Sequence, residues 1–229
     1  MENIKNKITI RAMAFWGISA LVLGGMVFGM VKFASRNSLS DKTPLSLTAP
    51  MTEGDWIRGD KNAKVIITEY SDFQCPACGA YYGVVKQLHK DFGDKLAIVY
   101  KHFPLRQRHA NAEAAALSAE AAGGQGKFWE MHDMLFENQK DWETAGNARE
   151  IFIGYAKELG LNSERFKQDL NSKELEQKIE IDYQSGVKAG VNHTPTFFLN
   201  GKEIQNPRSY EEFRNIVDEA ESKKSQSSS

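Results

Sequence analysis

"SDFQCPACGA", residues 71–80, holds both cysteines of the 229-residue chain, separated by Pro-Ala. Three chemistries use a pair at this spacing: half of a metal site, a short structural disulfide, or a redox dithiol. A structural zinc site needs four ligands. There is no second C-x-x-C, and the five histidines (His89, His102, His109, His132 and His193) are scattered without a paired spacing. A bridge this short closes little chain, so it restrains the unfolded state weakly. The redox reading has a mechanism. Pro76 suits the first turn of a helix, where its missing N–H would have had no partner in any case. Cys75 then stands at the helix N-cap, where free amides and the positive end of the dipole favour a thiolate. Cys78 lies one turn along, partly covered, and is placed to attack a mixed disulfide formed at Cys75.

The flanks of this stretch define an α/β chain. "VIITEY" (65–70) is β-branched and bounded by polar loops, as a buried strand requires. After the cysteines, Cys78, Tyr81, Val85, Leu88 and Phe92 recur at three- and four-residue steps and make one apolar helix face, stopped by Gly93 and Asp94. "LAIVYKHF" (96–103) gives a second strand. A run of helices follows, beginning with the alanine-rich "HANAEAAALSAEAA" (109–122). Later helices are marked by Phe128, Met131, Leu135 and Phe136; by Ile151, Tyr155 and Leu159, ended by Gly160; and by Phe166 and Leu170, then Leu175, Ile179 and Tyr183. "TPTFFLNGKEI" (194–204) returns to strand, with Asn200-Gly201 as a type I′ hairpin turn. A last helix opens on Ser209 and Glu212, an S-x-x-E capping box. Strand–helix–strand, a helical insertion, then hairpin and helix predict an α/β sandwich with a helical subdomain on one side. "GGQGK" (123–127) is no phosphate loop: it joins two helices, and Phe128 follows Lys127 where Ser or Thr is needed.

The beginning of the chain is different. Residues 12–31, "AMAFWGISALVLGGMVFGMV", are 20 residues without a charge, enough to cross a bilayer as a helix. Lys5, Lys7 and Arg11 precede them, which predicts a short cytoplasmic N-terminus (1–11) with the rest of the chain outside. A cleavable signal segment is the competing reading, although no A-x-A-like site follows. Gly25 and Gly29 form a G-x-x-x-G pair of the kind that recurs in membrane helices by chance. Residues 32–54 read as a linker, rich in Ser, Thr, Pro and Asp from 35 onward. The folded domain is expected over 55–222, with the helical insertion at about 106–188, and 223–229 as a disordered tail. The net charge of −1 gives no reason to expect nucleic acid, and two cysteines are too few for a disulfide-dense scaffold.

A strand ending in "EYSDFQCPACG", a helix, and a later Thr-Pro before a strand and an Asn-Gly turn resemble the thioredoxin superfamily. With the helical insertion, "YKHFPL" (100–105) and "GKFWEMHDMLFENQ" (126–139), the chain resembles the membrane-anchored or secreted DsbA-type thiol:disulfide oxidoreductases. The likeness covers roughly Trp56 to Val217. It implies a thioredoxin fold, no cofactor and no metal, with Cys75 as attacking thiol and Cys78 as resolving thiol. It also implies that Pro195 is a cis-proline facing the dithiol, that Thr194 offers backbone to an extended substrate, and that Glu69 is a buried acid relaying protons beneath Cys78. His193 either approaches the dithiol or caps a loop; His102 is expected to be structural.

The resemblance further implies a single-pass membrane protein of a bacterium, its catalytic domain outside the cytoplasm. It would form disulfides in exported proteins with free thiols and be re-oxidised by a membrane redox partner. One departure bears on direction. The strongly oxidising members carry histidine before the second cysteine, and here that position is Ala77, which points to a milder oxidant, or to a reductase or isomerase. A peptide-binding chaperone or adaptor using the surface near Pro195 is the alternative from another class.

Overall fold

Parallel strands need a crossover between them, and the apolar face of the helix that follows the cysteines provides it. The computed structural model describes residues 25–26, 45–48 and 51–227. The chain divides into two units, residues 1–43 and 44–229. Of the first, only Gly25 and Met26 are described, both helical. The expected anchor at 12–31 otherwise lies outside the described residues, and among those residues no helix is long and apolar enough to cross a membrane.

The second unit begins with β1 (Trp56–Arg58), β2 (Val65–Ser71), α1 (Pro76–Phe92) and β3 (Leu96–His102). Six helices follow: α2 (Ala112–Gly123), α3 (Phe128–Glu137), α4 (Gln139–Trp142), α5 (Ala148–Glu158), α6 (Ser163–Asp169) and α7 (Lys173–Ala189). The hairpin β4 (Thr196–Leu199) and β5 (Lys202–Ile204) and the helix α8 (Tyr210–Ser227) complete it. The sheet order is β1-β3-β2-β4-β5, with β2 and β3 parallel and every other pair antiparallel. The α/β sandwich with an inserted helical subdomain is therefore the observed architecture.

Side chains alternate across a strand, so β2 serves two cores. Val65 and Ile67 meet Val85 and Leu88 of α1 and Phe213 and Val217 of α8. Tyr70, on the opposite face, joins Phe103, Phe198 and Val191, with Tyr183 of α7 against them. The insertion has its own core, in which the small side chains of α2 let Phe128, Leu135, Trp142, Phe152 and Phe166 close around it. That third core also contains Phe73, Cys75 and Cys78, so the dithiol sits where the insertion meets the sheet. Asn200 and Gly201 both have positive φ (48° and 83°), as a type I′ turn demands. The turn is fastened to β2 by exchange between Asn200 and Ile66: Asn200 N–H donates to Ile66 O at 2.8 Å, and Ile66 N–H donates to Asn200 Oδ1 at 3.0 Å.

Three expectations about boundaries change. Residues 45–48, read as linker, are part of the folded unit: Ser46 bridges Lys202 on the β5 edge, and Leu47 N–H donates to Gly201 O at 2.8 Å. Leu45 and Leu47 alternate with exposed Ser46 and Thr48 and pack under Tyr70 and Phe103, a strand pattern two leucines long. At the other end α8 continues to Ser227, where 223–229 was expected to be disordered. No Gly or Pro interrupts it, and Lys223 pairs with Glu219 one turn back. α8 is also capped differently. Ser209 Oγ accepts the Glu212 N–H at 3.1 Å, but the Glu212 carboxylate reaches the N–H of Arg208 at 2.7 Å rather than that of Ser209.

Candidate active site: the dithiol at the start of α1

Cys75 is the N-cap of α1, with φ −69° and ψ 122°, and Pro76 occupies the first turn. The loop before it is wound around Asp72, which is buried. Asp72 Oδ1 accepts the N–H of Gln74 at 2.8 Å; Oδ2 accepts the N–H of Leu105 at 2.8 Å and lies 2.7 Å from His109 Nδ1. Cys75 N–H donates to Asp72 O at 3.0 Å. Two glutamines then tie the loop to the insertion. Gln74 donates to Glu143 O at 2.5 Å and accepts the Asn111 N–H at 2.7 Å. Gln139 Nε2 donates to Phe73 O at 2.6 Å and to Cys75 O at 3.0 Å. Gly79 makes room for this brace, since a Cβ there would lie 2.7 Å from Gln139 Oε1.

The two sulfurs are free thiols with opposite surroundings. Cys75 is 7 % exposed and Cys78 0 %. The Cys75 thiol is brought down to about 5, first by the S–H of Cys78 donating to it, then by Thr194 and the backbone N–H groups of Cys78 and Ala77, against the opposing effect of burial. The Thr194 hydroxyl is buried and makes no other hydrogen bond among the described residues, so it is available to the thiolate. Cys78 is pushed well above the usual thiol value by burial, then by its donation to Cys75 and by the charges of Cys75 and Glu69. One thiol is thus ionised at neutral pH and the other is not.

Glu69 is buried on the α1 face of β2, with Ser71 Oγ donating to its carboxylate at 2.7 Å. Burial raises it to about 7; the Ser71 hydrogen bond opposes this, and the Cys75 charge adds to it. That burial is not the setting of a solvated strand-end carboxylate. Thr194–Pro195 is a cis peptide, and Cys75 Sγ lies 3.5 Å from Thr194 O, so the distant Thr-Pro does come to the dithiol. His193 lines the same open groove as Cys75 without bonding to it; its Nδ1 is 2.7 Å from Thr196 Oγ1. His102 is structural, buried at 2.9 Å from the Glu120 carboxylate. Among the described residues no three His, Cys, Asp or Glu side chains gather as a metal site would require.

The sequence reading did not single out Asp72, Gln74, Ser71 or His109. Each acts through backbone groups or one neighbour, which leaves no spacing signal. Gln139 was visible only as the end of "GKFWEMHDMLFENQ".

A family model described as thioredoxin matches residues 51–219. Curated relatives include the Na(+)/H(+) antiporter NhaA 1 of Mycobacterium sp. (strain KMS), 39% identical over 166 residues, which are 71% of this chain and 26% of that protein. The Na(+)/H(+) antiporter NhaA of Herminiimonas arsenicoxydans is 37% identical over 189 residues, 82% of this chain and 29% of that protein. The chain therefore spans less than a third of the length of these relatives. Among solved structures, oxidised BdbD from Bacillus subtilis superposes with TM-score 0.69 at 24% identity, covering 78% of this chain and 98% of that one. Wolbachia pipientis alpha-DsbA1 gives 0.67 at 21%, covering 76% and 94%. A thioredoxin-like oxidoreductase from Silicibacter pomeroyi DSS-3 gives 0.62 at 25%, covering 74% and 93%. The family model covers most of the chain that carries this dithiol, and the superpositions share its sheet and inserted helices: the chain belongs to the thioredoxin family and has the fold of the DsbA-type thiol–disulfide oxidoreductases.

Proposed function

We propose that this protein is a dithiol oxidase that works outside the cytoplasm on exported proteins, through its C-P-A-C pair. The observation that carries the reading is the asymmetry of the pair: a nearly buried but reachable Cys75 with a stabilised thiolate, and a sealed Cys78. In the oxidised protein a substrate thiolate attacks Cys75 Sγ. The substrate–Cys75 bond forms, the Cys75–Cys78 bond breaks, and Cys78 leaves as a thiolate that takes a proton, with protonated Glu69 as the nearby donor. The second substrate thiolate then attacks its own half of the mixed disulfide, and Cys75 leaves as a thiolate. Two electrons pass from the substrate to the dithiol. A membrane redox partner removes them, and an anchor at 12–31 would hold the domain close to it. Thr194, beside Cys75, offers the backbone edge along which an extended substrate can lie.

The stability of the Cys75 thiolate sets the direction, because a stabilised reduced form makes the disulfide an oxidant. Ala77 gives no charge or ring N–H, yet its backbone N–H, the Cys78 S–H and Thr194 together bring Cys75 to about 5. That value lies between those of thioredoxin, about 7, and the strong oxidant DsbA, about 3.5. A potential less reducing than that of thioredoxin and short of that of DsbA is therefore expected. Equilibration with glutathione buffers measures it. A potential near −270 mV, the thioredoxin value, would instead favour the reductase reading that Ala77 supports. Placement is tested separately: once the dithiol has been reduced, a membrane-impermeant thiol reagent is expected to label Cys75 in intact cells, and labelling only after lysis would refute an extracytoplasmic domain. The antiporter activity in the names of the curated relatives belongs to proteins of which this chain matches less than a third, and dithiol exchange does not require it.

A further inference from the structure

The exchange chemistry leaves unused the wall of the groove beside Cys75, about 450 Å³ in volume. Its ionisable lining is one-sided. Besides Cys75 and Tyr183 it presents Arg106, Arg108, His109 and His193, and no aspartate or glutamate. Carboxylates lie behind two of these groups. Arg106 is held by Glu113 at 2.5 Å and Glu180 at 2.9 Å, and His109 Nδ1 rests 2.7 Å from buried Asp72. The other two groups keep their polar atoms open. Arg108 is exposed, and its side chain makes no ion pair or hydrogen bond among the described residues. Thr196 Oγ1 lies 2.8 Å from His193 O and 2.7 Å from His193 Nδ1, which engages Nδ1 on the inner side of the ring. His193 Nε2 is then left free on an exposed ring.

Resting on the exchange reading above, we propose that this groove selects its substrate: it takes extended polypeptide carrying acidic residues within two or three positions of the reacting cysteine, with Arg108 as the main determinant. A free guanidinium offers a planar fork that matches a carboxylate in bidentate geometry, and this pairing is stronger than a neutral hydrogen bond. Two or three residues of extended chain span about 7–10 Å, enough to reach along the groove from Cys75. The same positive wall favours the approach of the attacking thiolate, which is itself an anion. Charge matching of this kind acts mainly on the encounter rate and is screened by salt. Glu113, Glu176 and Glu180, on the far side of Arg106, line a neighbouring surface together with Lys173.

The test uses the full chain in its oxidised form and three two-cysteine peptides that differ only in the residues flanking the first cysteine: Asp, Asn or Lys. The acidic peptide is expected to be oxidised about tenfold faster than the basic one at low salt, with the ratio shrinking toward one at high salt. Arg108→Ala is expected to remove most of that ratio, and Arg108→Lys to keep part of it. Equal rates for the acidic and basic peptides in the unmodified protein overturn the inference while leaving dithiol exchange intact. So does a preference that Arg108→Ala does not change. If none of the peptides is oxidised, the exchange reading itself fails, and the inference with it.

Discussion

Replacing Cys75 by serine is expected to abolish thiol exchange, whereas Cys78→Ala is expected to leave the first half of the reaction working and stop it at a covalent adduct. With the reduced Cys78→Ala protein and a peptide disulfide, the Cys75 thiolate attacks one sulfur and the other leaves with the peptide. No second thiol is in reach to release the product, because Cys78 was the resolving group beneath Cys75 and is fully enclosed. Mass spectrometry should show a one-to-one adduct with the Cys78→Ala protein, none with Cys75→Ser, and only turnover with the unmodified chain. The same variant carries a second signature. Donation from the Cys78 S–H is the largest influence holding Cys75 near 5, so its removal should shift the pH midpoint of Cys75 alkylation upward. Exchange that survives in Cys75→Ser would defeat the assignment of roles. Client binding that is unaffected when both cysteines are serine would favour the chaperone reading instead.

The sequence made the strand–helix–strand around the cysteines legible because each element there carries its own signal: a β-branched run, a helical apolar stripe stopped by Gly93, and an Asn-Gly turn that needs positive φ twice. The site was legible to the extent that its chemistry is covalent. Cys75, Pro76 and Cys78 are neighbours in the chain, and the resemblance brought Thr194 and Pro195 to them. The frame that makes Cys75 a thiolate was not legible. Asp72, Gln74 and Gln139 hold the N-cap loop through backbone carbonyls and N–H groups that any residue possesses, so no pattern marks them. β1 and α4 were missed for a related reason: at three and four residues they are too short to show a period. The edge residues Leu45 and Leu47 were lost in a polar stretch, because two alternating leucines signal a strand only once β5 offers them an unpaired edge.

Glu69→Gln is expected to stabilise the folded protein and slow its chemistry at once, and the pH dependence of the gain separates a proton relay from an ordinary buried side chain. The folded carboxyl, raised by burial, titrates at about 7 against 4.5 for the unperturbed group. Between those values the unfolded chain has lost its proton while the folded one retains it, so stability declines as pH rises from 4.5 to 7 and stays lowered above that. The shift corresponds to about 3 kcal/mol at most. The substituted amide is neutral at every pH, and its oxygen still accepts from Ser71, so the variant should gain that amount above pH 7 and nothing below pH 4.5. Denaturant melts at about pH 4 and about pH 8 measure the difference. The cost falls on Cys78. Its high thiol pKa means that a proton must arrive as it leaves and depart before it attacks, and among the described residues no other titratable group is sealed beside it with a value near neutrality. Re-formation of the Cys75–Cys78 bond at neutral pH should therefore slow by about a hundredfold, the lower end of what a positioned acid–base group contributes. A stability gain that is the same at both pH values would mean that Glu69 is not held protonated. An unchanged rate would mean that Cys78 exchanges its proton by another path.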